Sequence, residues 1–258
     1  MTPNLSRVLG RRSRTRLAAL LKVQAKLSLR EPSALGVGVG LPAILLVVFG
    51  FISRAVPATV GDTGLNVIDL YIPVIMVISF IGIAISIPST LVRDREIGWL
   101  RRISTTPVHP SQLLGAQLIL DLGLAAVAII IAIVGGTVIF GAPLTFDIPF
   151  FILSVVLGIA EIFSLGLVVV ALVRTQSAAG IVGGVLFFVL LFLSGLWVQP
   201  DVVGGPLQVI LLYSPSGAAV RALLYSVFGQ TPPLTELAAL IGYTLVFAFV
   251  AVRYFRWE

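Results

Sequence analysis

Stretches such as Ile119 to Phe140 and Ile181 to Val198 are apolar on every side and run for about twenty residues, the length a helix needs to cross the hydrocarbon of a bilayer. Lipid offers no partner to a backbone N–H or C=O, so a chain that crosses it must close its hydrogen bonds as helices or as a barrel. Barrel strands read as short segments alternating apolar and polar, and these runs do not alternate. With 58% hydrophobic and 11% charged residues and a mean hydropathy of +1.11, the chain has more apolar surface than a soluble domain of 258 residues buries in one core. The sequence therefore predicts an all-α integral membrane protein.

Spans are predicted at 34–52, 70–92, 113–140, 146–172, 178–198 and 234–252. They form one transmembrane domain over 34–258, preceded by a basic leader at 1–33 with no secretory cleavage pattern. Fifteen of the seventeen basic residues fall on one side of these spans, and only Arg54 and Arg221 fall on the other. The positive-inside rule then places both termini in the cytoplasm of a multi-pass protein of the cell membrane, which requires an even number of crossings. The stretch 199–233 is apolar enough to suggest a seventh, but Gly204, Gly205, Pro206, Pro215 and Gly217 cut it into halves too short to cross. A re-entrant helical hairpin before the last span is the expectation. The basic residues lie beside spans, where anionic lipid accounts for them, so nucleic acid is not expected as a partner.

Before the first span, Leu17, Leu20 and Leu21 share one helical face while Lys22, Lys26 and Arg30 lie opposite, the pattern of an amphipathic interfacial helix. A plain anchor and a lever pressed by a partner both fit it. The loop 93–112 mixes both charges with Ile97, Leu100 and Ile103, and Pro107 and Pro110 stop it before the third span. A topology signal needs only the basic residues; the added acids and apolar stripe suit docking to a cytoplasmic protein. Inside the membrane, Glu161 is costly unless protonated, paired or facing water, and either a cationic cargo or neighbours such as Ser154 and Ser164 would satisfy it. Asp121 lies within reach of Arg101 or Arg102. Gly36, Gly38, Gly40, Gly180, Gly183 and Gly184 are expected to let helices approach closely. His109 has no second histidine beside it and cysteine is absent, so neither a catalytic site nor a metal site is expected.

The run Arg95-Glu96-Ile97-Gly98-Trp99-Leu100-Arg101-Arg102-Ile103, followed by Thr105-Thr106-Pro107-Val108 and a new span, resembles the coupling loop of type-2 ATP-binding cassette exporter permeases. Trp99 and Arg101 depart from the small hydroxyl residue and the acid that many relatives carry there. Leu193 to Trp197, then Pro200, Pro206, Pro215 and the run through Arg221, is similar to the same family's outer hairpin. Within that family, the chain resembles the drug and antibiotic efflux branch, the daunorubicin-like exporters. The resemblance implies a coupling helix between spans two and three, and ATPase coupling through Arg95, Glu96, Gly98, Trp99, Leu100, Arg101 and Pro107. It also implies a hairpin marked by Gly195, Pro200, Pro206, Pro215 and Arg221, two ABC ATPase subunits holding ATP and Mg, and a second permease, identical or homologous. Neither lysine, Lys22 or Lys26, follows a glycine, so the chain has no phosphate-cradling loop of its own. Apolar spans with few hydroxyls, Ser79, Ser86 and Ser194, suggest a hydrophobic or amphipathic cargo. The competing readings are a secondary transporter or channel acting without an ATPase, and a membrane-bound enzyme. The first would need midplane coupling groups and repeated halves, the second a cluster of polar catalytic groups, and the sequence offers neither.

Overall fold

The computed structural model describes residues 35–55, 66–96, 110–198, 200 and 203–254, and every regular element among them is helical. In chain order these are α1 (Leu41–Ala55, entered through a π-helical turn at Gly36–Gly40), α2 (Val67–Glu96), α3 (Pro110–Val134, continued by a π turn at Gly135–Ile139) and α4 (Ile148–Leu172). They are followed by α5 (Gln176–Leu193), α6 (Pro206–Tyr213), α7 (Pro215–Val227) and α8 (Leu234–Tyr254). Six of them are long and apolar enough to cross a membrane: α1 to α5 and α8. The chain is a multi-pass membrane protein. The predicted helix at 17–30 and the loop residues Gly98, Trp99, Leu100, Arg101 and Pro107 lie outside the described residues.

Isoleucine and valine dominate α2, residues that lose rotamer freedom in a helix, yet in lipid the helix is the only way to satisfy its backbone. It is also the hub of the bundle. About 83% of its most apolar stretch is buried, against 22 to 44% for the other five crossing helices. Helices α1 and α3 pack on α2 and on each other; α4, α5 and α7 pack on α2 as a second group, with α8 along α4. Glycines let three helices approach α2 at nearly one level. A Cβ on Gly82 would stand 2.6 Å from the Val37 carbonyl oxygen, one on Gly166 would stand 2.8 Å from that of Ala84, and one on Gly183 would stand 3.1 Å from Ile85. Of the glycines expected at such contacts, Gly38 and Gly183 make them. Gly36, Gly180 and Gly184 face open space, and Gly82 and Gly166 serve instead.

Two ends of the bundle are distinct. At the basic end lie the last turn of α2 and the turn between α4 and α5; at the far end lie the turns joining α3 to α4 and α7 to α8. The fifth span stops at Leu193, five residues before the expected Val198, because Ser194 and Gly195 end it, Gly195 with the positive φ of 82° common just past a helix C-terminus. Pro206 and Pro215 do not break helices but open them, each in the first turn, where a missing N–H is harmless. The two short helices meet at a bend of 72°.

Helix α7 runs antiparallel to α4. The Asp147 and Ser226 backbones bond at 2.8 Å, the Ser154 hydroxyl donates to the Ala222 carbonyl at 3.2 Å, and Ala219 lies against Gly158. Since Gly158 is ten positions into α4 (148 to 158), Ala219 in the second turn of α7 lies roughly 15 Å from the far end, and the last turn of α7 returns there.

Both basic residues of the far end are held by partners. Arg54 donates to the Ile139 carbonyl that closes α3, and its guanidinium stands 5.2 Å over the Phe140 ring. Arg221 pairs with Glu236 at 3.1 Å and donates to the Tyr225 hydroxyl at 3.2 Å.

Candidate functional site

The last turn of α2 and the first residues of α3 are the described parts of the predicted coupling loop. Two consecutive side chains of α2 reach across the bundle to one short turn. Arg95 donates to the Val173 carbonyl at the end of α4, and Glu96 Oε2 accepts from the Gln176 N–H, the first of α5, at 2.9 Å. The turn between is Val173-Arg174-Thr175, and Thr175 caps α5 by accepting from the Ala178 N–H at 3.3 Å. The first N–H groups of a helix have no partner within it, so Glu96 and Thr175 together satisfy two of α5's.

At the far end, Gly195, Pro200 and Arg221 are brought together around a cavity of about 70 Å³, whose wall also includes Ser194, Leu211 and Gly217. Pro206 and Pro215 are not on it. The partner that the sequence reading missed is Glu236, buried in the first turn of α8, which neutralises Arg221. An acid just past Pro232-Pro233, at the start of the last span, is the signal that would have indicated it.

The three serines expected along a cargo path are all buried, and each hydroxyl bonds within its own helix: Ser79 to Ile75, Ser86 to Ile83 and Ser194 to Leu191. Asp121 is buried and accepts from the Gln117 amide at 3.0 Å, one turn back along α3. Arg101 and Arg102, its expected partners, lie outside the described residues.

Glu161 is fully buried, and neither carboxyl oxygen has a partner among the described residues. Neither serine proposed for it reaches it: Ser154 donates to Ala222 of α7, and Ser164 donates to Ala160 in its own helix at 2.6 Å. An orphaned buried polar group costs about 1–3 kcal/mol. Glu161→Leu is therefore expected to raise the melting temperature of the detergent-purified protein. An unchanged or lower value would show that a group outside the described residues satisfies the acid.

A model of the ABC-2 type transporter family matches residues 15–228, most of the chain. No curated protein matches it. Proteins of that family are membrane components that work with ABC ATPase subunits, and ATP hydrolysis takes place on those separate subunits. A bundle of six crossing helices, with a charged turn at its basic end clamped to a second turn, agrees with that division of labour. The chain belongs to the ABC-2 type transporter family, as the permease component of an ABC transporter.

Proposed function

We propose that the protein exports a hydrophobic or amphipathic molecule, an antibiotic, drug-like or lipid-like compound of the kind handled by the daunorubicin-like branch. Two ABC ATPase subunits carry ATP and Mg, a second permease completes the assembly, and both termini lie in the cytoplasm. The segment from Ile97 to Pro107 receives the ATPase, with Gly98, Trp99, Leu100 and Arg101 at the contact, and the amphipathic helix around Leu17, Leu20, Leu21, Lys22, Lys26 and Arg30 lies on the membrane surface. Helices α6 and α7 form the re-entrant hairpin of the outer side.

The observation that carries this reading is the position of the charged segment: it leaves α2, the most buried helix, at the end of the bundle where the basic residues gather. A stroke delivered there acts on the element that touches nearly every other. The cargo class rests on the exposed faces. Ile44, Val47 and Phe51 of α1, Ile181, Val185 and Phe188 of α5, and Val246, Phe249 and Val252 of α8 present an apolar surface to lipid or to a second permease. Ser79, Ser86, Ser194 and Glu161, buried in the single chain, join a path only when α2, α4 and α5 part.

Co-purification with the cognate ABC ATPase tests the reading. The wild-type chain is expected to retain the ATPase through detergent extraction. Leu100→Glu, which sets a charge in the apolar stripe of the docking segment, is expected to reduce the retained ATPase about tenfold, roughly the effect of 1.4 kcal/mol on an association constant. Full retention by Leu100→Glu would place the docking surface elsewhere.

A further inference from the structure

Arg95 and Glu96 are adjacent residues of opposite charge, and the two helix ends they meet have opposite polarity. The carbonyls at the end of α4 carry the negative end of its dipole, and there the guanidinium of Arg95 donates to Val173. The N–H groups at the start of α5 carry the positive end, and there the carboxylate of Glu96 accepts from Gln176. Each charge meets the helix end that it stabilises. Reversing their order would set like against like at both contacts.

A second polar tie joins α2 to the other end of α5. At the far end, the Tyr71 hydroxyl in the first turns of α2 donates to the Leu196 carbonyl just past α5, at 3.1 Å. Between the ties, Gly183 admits Ile85 against the backbone of α5. Only 22% of α5 is buried in the single chain, and besides α2 it is met by α7, whose Ser216 hydroxyl donates to the Leu190 carbonyl at 2.8 Å. Tied to α2 at both ends, α5 follows movement of that helix.

We propose that Arg95 and Glu96 are positioning residues that grip the turn between α4 and α5 and carry movement of the end of α2 into α5, rather than contacts for the ATPase. The inference rests on the reading that the segment following Glu96 receives the ATPase. It assigns these two side chains an inward task and leaves docking to the residues after them.

The test needs no knowledge of the cargo. The chain has no cysteine, so one introduced at Gly180, where a Cβ meets open space, carries a single spin label on the second turn of α5. The label is followed in the complex with the ATPase, reconstituted in lipid vesicles, without nucleotide and with ATP plus vanadate. The wild-type background is expected to show an ATP-dependent change in the label's mobility. Glu96→Gln, whose amide oxygen still accepts from Gln176, is expected to keep most of that change. Glu96→Ala is expected to reduce it several-fold, and the exchange Arg95→Glu with Glu96→Arg to abolish it, while all three variants retain the ATPase through purification. The proposal is overturned if the exchanged pair responds like the wild type, if Ala and Gln behave alike, if the wild-type label does not respond to ATP, or if Glu96→Ala releases the ATPase. Failure of the wild-type chain to retain any ATPase would instead refute the reading of function beneath it.

Discussion

Gly217→Ala is expected to destabilise the protein by about 3 kcal/mol, through overpacking of about 1–3 kcal/mol and loss of a helix cap of about 1 kcal/mol. The added methyl would collide with the Leu211 carbonyl oxygen and lie 2.8 Å from Ser214 Oγ and 2.9 Å from the Leu211 carbonyl carbon. Two of those three atoms are backbone at the end of α6, which no rotamer change can move. The third is the cap of α7: Ser214 Oγ accepts from the Gly217 N–H at 3.1 Å while donating back to Leu211 at 3.2 Å. Relief therefore requires α6 to swing away from α7, and the 72° corner opens. Gly180→Ala is the matched control, since a Cβ there meets nothing. Thermal melting of the two purified variants beside the wild type makes the comparison. Equal melting of all three would mean that α6 and α7 do not meet at Gly217 as described.

That corner also marks where sequence reasoning stops. Its ingredients were visible: glycines and prolines cut 199–233 into pieces too short to cross, and two short helices result. Which proline opens a helix and which residue the backbone crowds depend on the fold of both pieces, and local pattern carries neither. The six spans were legible because lipid leaves the backbone one solution, so length and hydropathy suffice. Their ends were less so. Gly195 stops α5 early through its left-handed conformation, whereas hydropathy alone runs on to Trp197 and Val198.

The close approaches to α2 were legible in kind and not in place. Gly82 and Gly166 sit singly among large apolar residues, and only the packed neighbours single them out. The partners assigned to Glu161 failed for a physical reason. In an apolar helix a serine hydroxyl readily bonds the carbonyl a turn back, as Ser164 does, and Ser154 is taken instead by the Ala222 carbonyl of α7, so neither is free to serve the acid. The clamp of Glu96 on Gln176 joins residues 80 positions apart at the ends of two different helices, and nothing local announces it.

Arg221→Ala is the other substitution expected to have a large effect. It would leave Glu236, only 2% exposed, without its cation, and breaking a buried pair from one side costs about 3–5 kcal/mol. Two features place the expected loss near the lower end, about 3 kcal/mol. The Arg221 side chain is itself 23% exposed, and the Thr235 hydroxyl still donates to Glu236 at 2.6 Å. The Tyr225 contacts, a hydrogen bond at 3.2 Å and a ring 5.7 Å from the guanidinium, are lost with it. Removing both charges should behave differently. Arg221→Met with Glu236→Leu takes away the desolvation of two ions as well as their attraction, and such replacements are often neutral or stabilising. A double-mutant cycle on melting temperature is expected to show each single variant well below the wild type and the double near it. Additive losses would mean that the two side chains act separately, and that the fastening of α7 to α8 lies instead in the apolar contact of the two helices. Coupled losses would identify the pair as that fastening. They would also explain how Arg221 persists on the side of the membrane where, of the other basic residues, only Arg54 falls: its charge is already neutralised by Glu236.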